Sequence, residues 1–308
     1  MAHQFKRKES VPKAIRRLGR KRVESALKCL NDCADMEAVH GTRKEIKKLR
    51  ATLRLSQSAI TKKDFRRVAK LLREAANELA PPRDAFIKAK TLRDLARHFK
   101  GQVVPSTTRQ AGAIFRAGLD AEIKGFREKR TERRVETILR NVGKEWEGLE
   151  VKGKGWKTLA PAINSAYRQG RSAYQTALRD GLPESFHEWR KRAKDLLYQV
   201  NLLRPVWPEQ MDALGNELET LTECLGDDHD LMVLGEALEK QSNGTTDRRK
   251  MEALHGLIEQ RQRELRSAAL ALGSRFYAEK PSTFCRRLED YWRIWRREKK
   301  RFTSPTVS

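Results

Sequence analysis

The feature that most constrains this chain is a helical period that runs almost unbroken from end to end. Apolar residues recur at steps of three and four, and alternating β-branched runs are nearly absent, so the pattern predicts an all-α protein. Helices are expected near 12 to 33, 36 to 57, 62 to 80, 83 to 100, 107 to 127 and 131 to 149. A second series is expected near 158 to 180, 184 to 204, 209 to 225, 228 to 241, 248 to 274 and 282 to 301. The breaks "APPRD", "VVPSTT", "KGKGW", "GLPES", "RPVWP", "SNGTT" and "EKPST" supply Pro, Gly and N-capping residues.

Two series of about six suggest an internal duplication, and residues bear on it. "FHEWRKRAKDLLYQV" laid over the stretch that begins at Val39 pairs His187 with His40, Arg190 with Arg43 and Lys194 with Lys47. Phe186, Ala193, Leu196 and Val200 then fall on Val39, Ile46, Leu49 and Leu53. Upstream, "RLGRKRVESAL" resembles "RQGRSAYQTAL", matching Arg17, Gly19 and Arg20 with Arg168, Gly170 and Arg171. Downstream, "LAPPRD" occupies the place of "LGDDHD". Three blocks in one order predict repeats over about 10 to 150 and 156 to 302 of a single 1 to 308 domain.

Within the first repeat, His40, Arg43, Lys47, Arg50 and Arg54 follow a 3,4,3,4 spacing, the seam a coiled coil would fill with leucine. At about 100° per residue they cover an arc of roughly 80° beside the apolar arc, over a length of roughly 21 Å. Glu45, Lys48 and Thr52 are expected on the outer, solvent side. Cations along the edge of a core suit a row of phosphates, whereas an isolated basic stripe of this kind commonly pairs with acids of neighbouring helices. Asp35 is a candidate N-cap, and the "LPES" turn opens the helix of His187, so both histidines lie near helix N-termini that attract anions. A phosphate there would favour protonated imidazoles, and binding is expected to weaken from pH 6 to 8 through His40 and His187.

Charge narrows the partner. Lys and Arg number 66 against 41 acids, a net charge of +25, which points to nucleic acid, a membrane surface or another phosphate-rich polymer. Cys29, Cys33, Cys224 and Cys285 form no CxxC pair, so neither a disulfide framework nor a zinc site is suggested, and a cytoplasmic setting fits. The start "MAHQFKRKES" lacks an apolar leader, and no run approaches the length of a membrane span. Trp189, Trp207, Trp292 and Trp295 read as core aromatics, and "YWRIWRREKKRF" as an exposed amphipathic face.

Together, H-x-x-R-x-x-x-K-x-x-R at His40, Arg43, Lys47 and Arg50, its shorter copy at His187, Arg190 and Lys194, and the L-x-x-x-x-D closings at Leu79 to Asp84 and Leu225 to Asp230 resemble the CHAD domain, a family named for its histidine-containing α-helical character. The resemblance spans most of the chain. It implies two pseudo-symmetric four-helix-bundle-like halves around a basic groove or pore that binds inorganic polyphosphate, and association with polyphosphate granules. No cofactor and no protein metal site is expected, Mg²⁺ being able to accompany polyphosphate as its counterion. Carried onto this sequence, the ligand set is Arg17, Arg20, His40, Arg43, Lys47, Arg50, Arg54, Arg168, Arg171, His187, Arg190 and Lys194, with Arg83 and Lys191 as further candidates. Arg83 has an alternative in pairing with Asp84 or a nearby carboxylate.

The second stripe departs from the first: Leu197, Tyr198 and Asn201 stand where Arg50, Ala51 and Arg54 stand, so the half-sites are not expected to be equivalent. Relatives often carry a CYTH triphosphatase domain, whose E-x-E-x-K signature is missing here; "WEGLEVKGK" lacks the alternation. Two other readings compete. Non-specific nucleic-acid binding shares the charge argument but has no helix-turn-helix, zinc-finger or RNP-type signature to add to it. A metal-dependent phosphohydrolase would use His229 and Asp230 of "DDHDLMVL", yet the wider ligand set is missing. Asp84 at the equivalent of Asp230 favours a structural role: helix start, capping, or pairing with groove arginines. Oligomeric state is not legible.

Overall fold

The computed structural model describes residues 3–32, 35–102, 105–242 and 248–298. Among these residues every regular element is helical. In chain order they are α1 (Val11–Asp32), α2 (Asp35–Leu55), α3 (Lys62–Glu78), α4 (Ala80–His98), α5 (Pro105–Glu128), α6 (Thr131–Glu147), α7 (Trp156–Asp180), α8 (Pro183–Leu202), α9 (Pro208–Ser242), α10 (Arg248–Phe276) and α11 (Pro281–Arg297). Cys33, the "SNGTT" break beyond Ser242, the end of "YWRIWRREKKRF" and the Asp35 side chain proposed as a cap lie outside the described residues. Among those described, no helix is long and apolar enough to cross a membrane.

Local chemistry sets the boundaries. Thr61 caps α3, its hydroxyl oxygen accepting from the Asp64 N–H at 3.1 Å. Gly181 ends α7 at φ 66°, a left-handed position that glycine occupies without a Cβ clash. Asp180 then accepts from the Leu182 N–H and the Ser185 hydroxyl at 3.0 and 2.9 Å, which seats the first turn of α8. Leu79, Pro81 and Pro82 separate α3 from α4, proline fitting a first helical turn but not an interior.

The corresponding break expected after residue 225 does not occur. α9 runs for 35 residues through "LGDDHD", because that segment has glycine and acids but no proline. An interior glycine costs a helix only about 1 kcal/mol, which the packing of α9 on α4, α8 and α10 outweighs. Asp230 is therefore a mid-helix residue and neither starts nor caps a helix.

α2 and α8 form the centre. The matched apolar sets are buried in both: Val39, Ile46, Leu49 and Leu53 in α2, and Phe186, Ala193, Leu196 and Val200 in α8. The outer side of α2 is not solvent, contrary to its reading from the helical wheel. α2 packs against α1, α3, α4, α7 and α8. Thr42 and Thr52 are fully buried, and Glu45 is held between Arg22 at 3.0 Å and Lys48 at 2.5 Å. A wheel drawn on one helix cannot register the neighbour that α1 supplies.

The glycines of the repeated upstream block have a packing role. A Cβ on Gly19 would lie 1.8 Å from the Trp146 ring, and one on Gly170 would lie 2.6 Å from the Tyr277 hydroxyl. Each lets an aromatic side chain close on a helix backbone; the Trp146 Nε1–H donates to the Ile15 carbonyl at 3.1 Å. Phe5 is buried edge-on against Trp292, and its N–H bonds the Leu202 carbonyl at 3.1 Å, tying the N-terminal segment to α8 and α11. Trp189, Trp292 and Trp295 are core residues as expected, but Trp207 is 43% exposed, in edge contact with Tyr291. A second apolar cluster joins α4, α5, α9 and α10 through Leu95, Phe115, Leu234 and Ile258.

Candidate functional site

α2, α4, α9 and α8 pack in a ring, each against the next, and enclose a groove of about 770 Å³. α2 contributes His40, Arg43, Lys44, Lys47 and Lys48 to its lining, α4 contributes Arg83 and Lys90, and α8 contributes Arg190 and Lys194. His3, Arg22 and Arg204 add to these. The α9 wall is of opposite sign, carrying Asp212, Glu219, Glu223, Asp227 and Asp230.

The basic side is crowded beyond what its own acids compensate. Burial, then the charges of Arg190, Arg83, Arg43 and Lys194, push the Lys47 ammonium down to about 7. Arg43, held by the Ala76 carbonyl at 2.6 Å, is lowered by burial and by Arg83. Arg190 lies against Gly226, where a Cβ would sit 3.6 Å from its Nε. That Nε is buried and has no partner, an unusual state for a guanidinium N–H. Burial, then Arg190, lower Lys194, offset in part by Glu223, Glu219 and Asp227.

The histidines divide. His40 is exposed to the groove, and burial of part of its ring, Lys44, Lys47 and Arg83 lower its pKa. His187 does not line the groove; its ring packs on His229 with centroids 4.2 Å apart. Burial, then Lys191 and Arg190, lower His187, while burial, Arg190 and His187 hold His229 down to about 4. In the ligand-free protein these rings are therefore biased to the neutral form, and Lys47 is the group poised to titrate near neutral pH.

Of the residues singled out from sequence, His40, Arg43, Lys47, Arg83, Arg190 and Lys194 converge on the groove. The others are placed elsewhere. Arg17 pairs with Glu9 at 2.7 Å and donates to the Gln4 carbonyl at 2.8 Å. Arg171 donates to the Tyr277 carbonyl at 3.1 Å, so both arginines fasten chain segments. Arg20 faces Glu24 at 3.7 Å, Arg168 is exposed, and Lys191 pairs with Glu188 at 3.4 Å. Arg54 bonds Asp195 of α8, and Arg50 is lowered by burial and by Arg54 in the same cluster. The stripe on α2 thus turns from the groove to a contact between α2 and α8 after Lys47. Arg83 does both things foreseen for it, lining the groove while pairing with Asp84 at 2.9 Å and Asp230 at 3.5 Å.

Comparison with known proteins decides the family. Residues 14–239 match the family model of the CHAD domain. This chain belongs to the CHAD domain family. A curated relative, the uncharacterized protein MT2285 of Mycobacterium tuberculosis (strain CDC 1551 / Oshkosh), is 27% identical over 241 residues. The match covers 74% of this chain and 45% of that protein, so the chain spans about half the length of that relative. Among solved structures, PptA from Streptomyces chartreusis superposes with a TM-score of 0.64 at 15% identity, covering 88% of this chain and 100% of the other. The CHAD domain from the plant Ricinus communis gives 0.62 at 16%, covering 90% and 95%. At those identities the likeness is one of fold.

In this CHAD domain several groove residues escape a reading of the repeat. Lys44 and Lys48 sit one step off the seam, and Arg22 and Lys90 arrive from α1 and α4 through tertiary packing. The acidic wall had a signal in the sequence: Glu219, Glu223 and Asp227 recur every four residues, which puts them on one helix face.

Proposed function

We propose that the groove binds inorganic polyphosphate laid along the α2 wall, and that the protein is a binding module without a catalytic step. The observation that carries this is the convergence of His40, Arg43, Lys47, Arg83, Arg190 and Lys194 on one groove, where burial and then these cations hold Lys47 down to about 7. Such a concentration of like charge opposes folding, and a bound polyanion would relieve it. Arginines would fork onto phosphate oxygens, while lysines act as point charges. Family membership and the convergent cations fit an anion-binding surface built before its ligand arrives.

The His229–Asp230 pair supports a structural rather than a hydrolytic role. Arg83 lies 3.5 Å from Asp230, placing a guanidinium beside the carboxylate a metal would use, and His229 packs on His187. We read the two halves as an internal duplication, supported by the glycine-under-aromatic contacts at Gly19 and Gly170. A cytoplasmic setting at polyphosphate granules accords with this ligand.

The test is the titration of the Lys47 ammonium by NMR with and without long-chain polyphosphate. Alone, Lys47 should titrate near 7. Polyphosphate should raise its midpoint by at least about one unit, since an opposite charge nearby favours the charged form. A midpoint unmoved under saturating polyphosphate removes Lys47 from the site and the proposal with it.

A further inference from the structure

The groove is two-signed, and the acids on its far wall are regularly placed. Gly215, Glu219, Thr222, Glu223, Gly226 and Asp227 all line it from α9. Glu219, Glu223 and Asp227 are exposed at successive four-residue steps, while the small residues between them leave the wall open. Asp212 and Asp230 have partners in Arg204 and Arg83. The other three act on Lys194 of the neighbouring α8. A surface shaped only to maximise anion affinity would not set three solvated carboxylates opposite its cations.

We propose that Glu219, Glu223 and Asp227 are selectivity residues that reject polyanions bulkier than a bare phosphate chain. This rests on the reading of the groove as a polyphosphate site and names what that site excludes. A narrow chain lies against α2 and leaves water over the α9 carboxylates. A nucleic-acid strand carries sugar and base beside each phosphate, and in a groove that α9 and α8 line together, with Gly226 beside Arg190, that bulk presses on the acidic rail. It strips water from carboxylates without offering them donors in the right place, and it brings its own anionic backbone nearer to them. Discrimination built by repelling the wrong partner is a general route to specificity.

The experiment measures the affinities of long-chain inorganic polyphosphate and of single-stranded poly(U), matched in phosphate concentration, for wild type and for Glu219→Gln/Glu223→Gln/Asp227→Asn. Thermal unfolding is followed in parallel, and Glu219→Gln/Glu223→Gln serves as the milder variant should the triple one unfold. In whichever variant is folded, both polyanions should gain from the lost repulsion, and poly(U) should gain roughly tenfold more than polyphosphate, narrowing the ratio between them. If both ligands gain equally, or neither gains, while wild type holds polyphosphate, the rail has no selective role and the binding reading stands. If wild type does not hold polyphosphate, the binding reading fails and the selectivity inference falls with it.

Discussion

The α2 and α8 stripes share His, Arg and Lys at matched positions, yet the fold treats them differently. On α2, His40, Arg43 and Lys47 face the groove beside Lys44, Lys48 and Arg83. On α8, Arg190 and Lys194 face it, while His187 turns to His229. The neighbours make the difference. α4, which starts at the Pro81 and Pro82 break, adds Arg83 and Lys90 to the α2 side, whereas the unbroken α9 sets Glu219, Glu223, Asp227 and Asp230 near α8. A repeated motif therefore supplies the same side chains to two places without supplying the same electrostatics.

The halves should differ most in packing. Gly19→Ala drives a Cβ into the middle of the Trp146 indole, whereas Gly170→Ala meets the far end of Tyr277. Overpacking in a tight core is destabilising, and displacing a buried Trp costs about 3–5 kcal/mol, so chemical denaturation should show a loss of that order for Gly19→Ala. For Gly170→Ala the loss should be smaller, about 1–3 kcal/mol. Equal losses would mean that the two glycines are closer structural equivalents than their contacts indicate.

The next contrast is in binding. Arg43→Ala should weaken polyphosphate by roughly 30-fold or more, in the range for a charged hydrogen-bonding group in a partly buried site. Lys194→Ala, already countered by Glu223 and Glu219, should weaken it by only about three- to tenfold. Titration calorimetry at one fixed salt concentration ranks the two, and the reverse order would put the main site on the α8 side.

Arg54 sharpens the comparison from the structural side. Arg54→Ala takes from half-buried Asp195 its hydrogen-bonded cation, with Arg192 and Arg50 still near it, and should cost about 1 kcal/mol of stability while polyphosphate affinity stays within about twofold. Burial already raises the Asp195 pKa and Arg54 opposes that rise. A folded pKa above the unfolded one means that stability falls as pH rises through it, so the variant's deficit should be largest at neutral pH and shrink on acidification.

The smallest effect concerns pH. Lys47 is charged below about 7 and loses its proton above it, so affinity for a polyanion should fall by roughly three- to tenfold from pH 6 to 8.5 in wild type and stay nearly flat in Lys47→Arg. Ligand-free stability should move oppositely. With the folded pKa below the unfolded one, the unfolded chain binds more protons between them, and stability rises with pH from about 7 towards the ordinary lysine value. His40 and His187 are both lowered in the ligand-free protein, and they add to the fall in affinity only to the extent that bound phosphate raises them.

Periodicity made the helices and the core stripes of α2 and α8 legible, because burial repeats with the helix turn. It also brought out Arg43, Lys47, Arg190 and Lys194, whose spacing places them at the core's edge. It could not show that α1 covers Thr42, that Thr52 is buried, or that Arg17 and Arg171 bind carbonyls, since those depend on which helix lies beside which. Gly226 and its acids read as a break for the same reason: the packing of α9 on α4, α8 and α10 that carries the helix through them is tertiary. Arg50 and Arg54 kept the spacing of the seam but not its destination, because Asp195 comes from another part of the chain.

The most direct test of the central claim is competition binding of long-chain polyphosphate against duplex DNA and RNA, matched in phosphate and run across a salt series, for wild type and Arg43→Glu/Lys47→Glu. The account predicts that polyphosphate is preferred by at least about 100-fold in wild type and that the variant, still helical, loses it. Equal competition by DNA or RNA, with the folded variant binding as wild type does, would show a generic basic surface and contradict the α2 wall as the site.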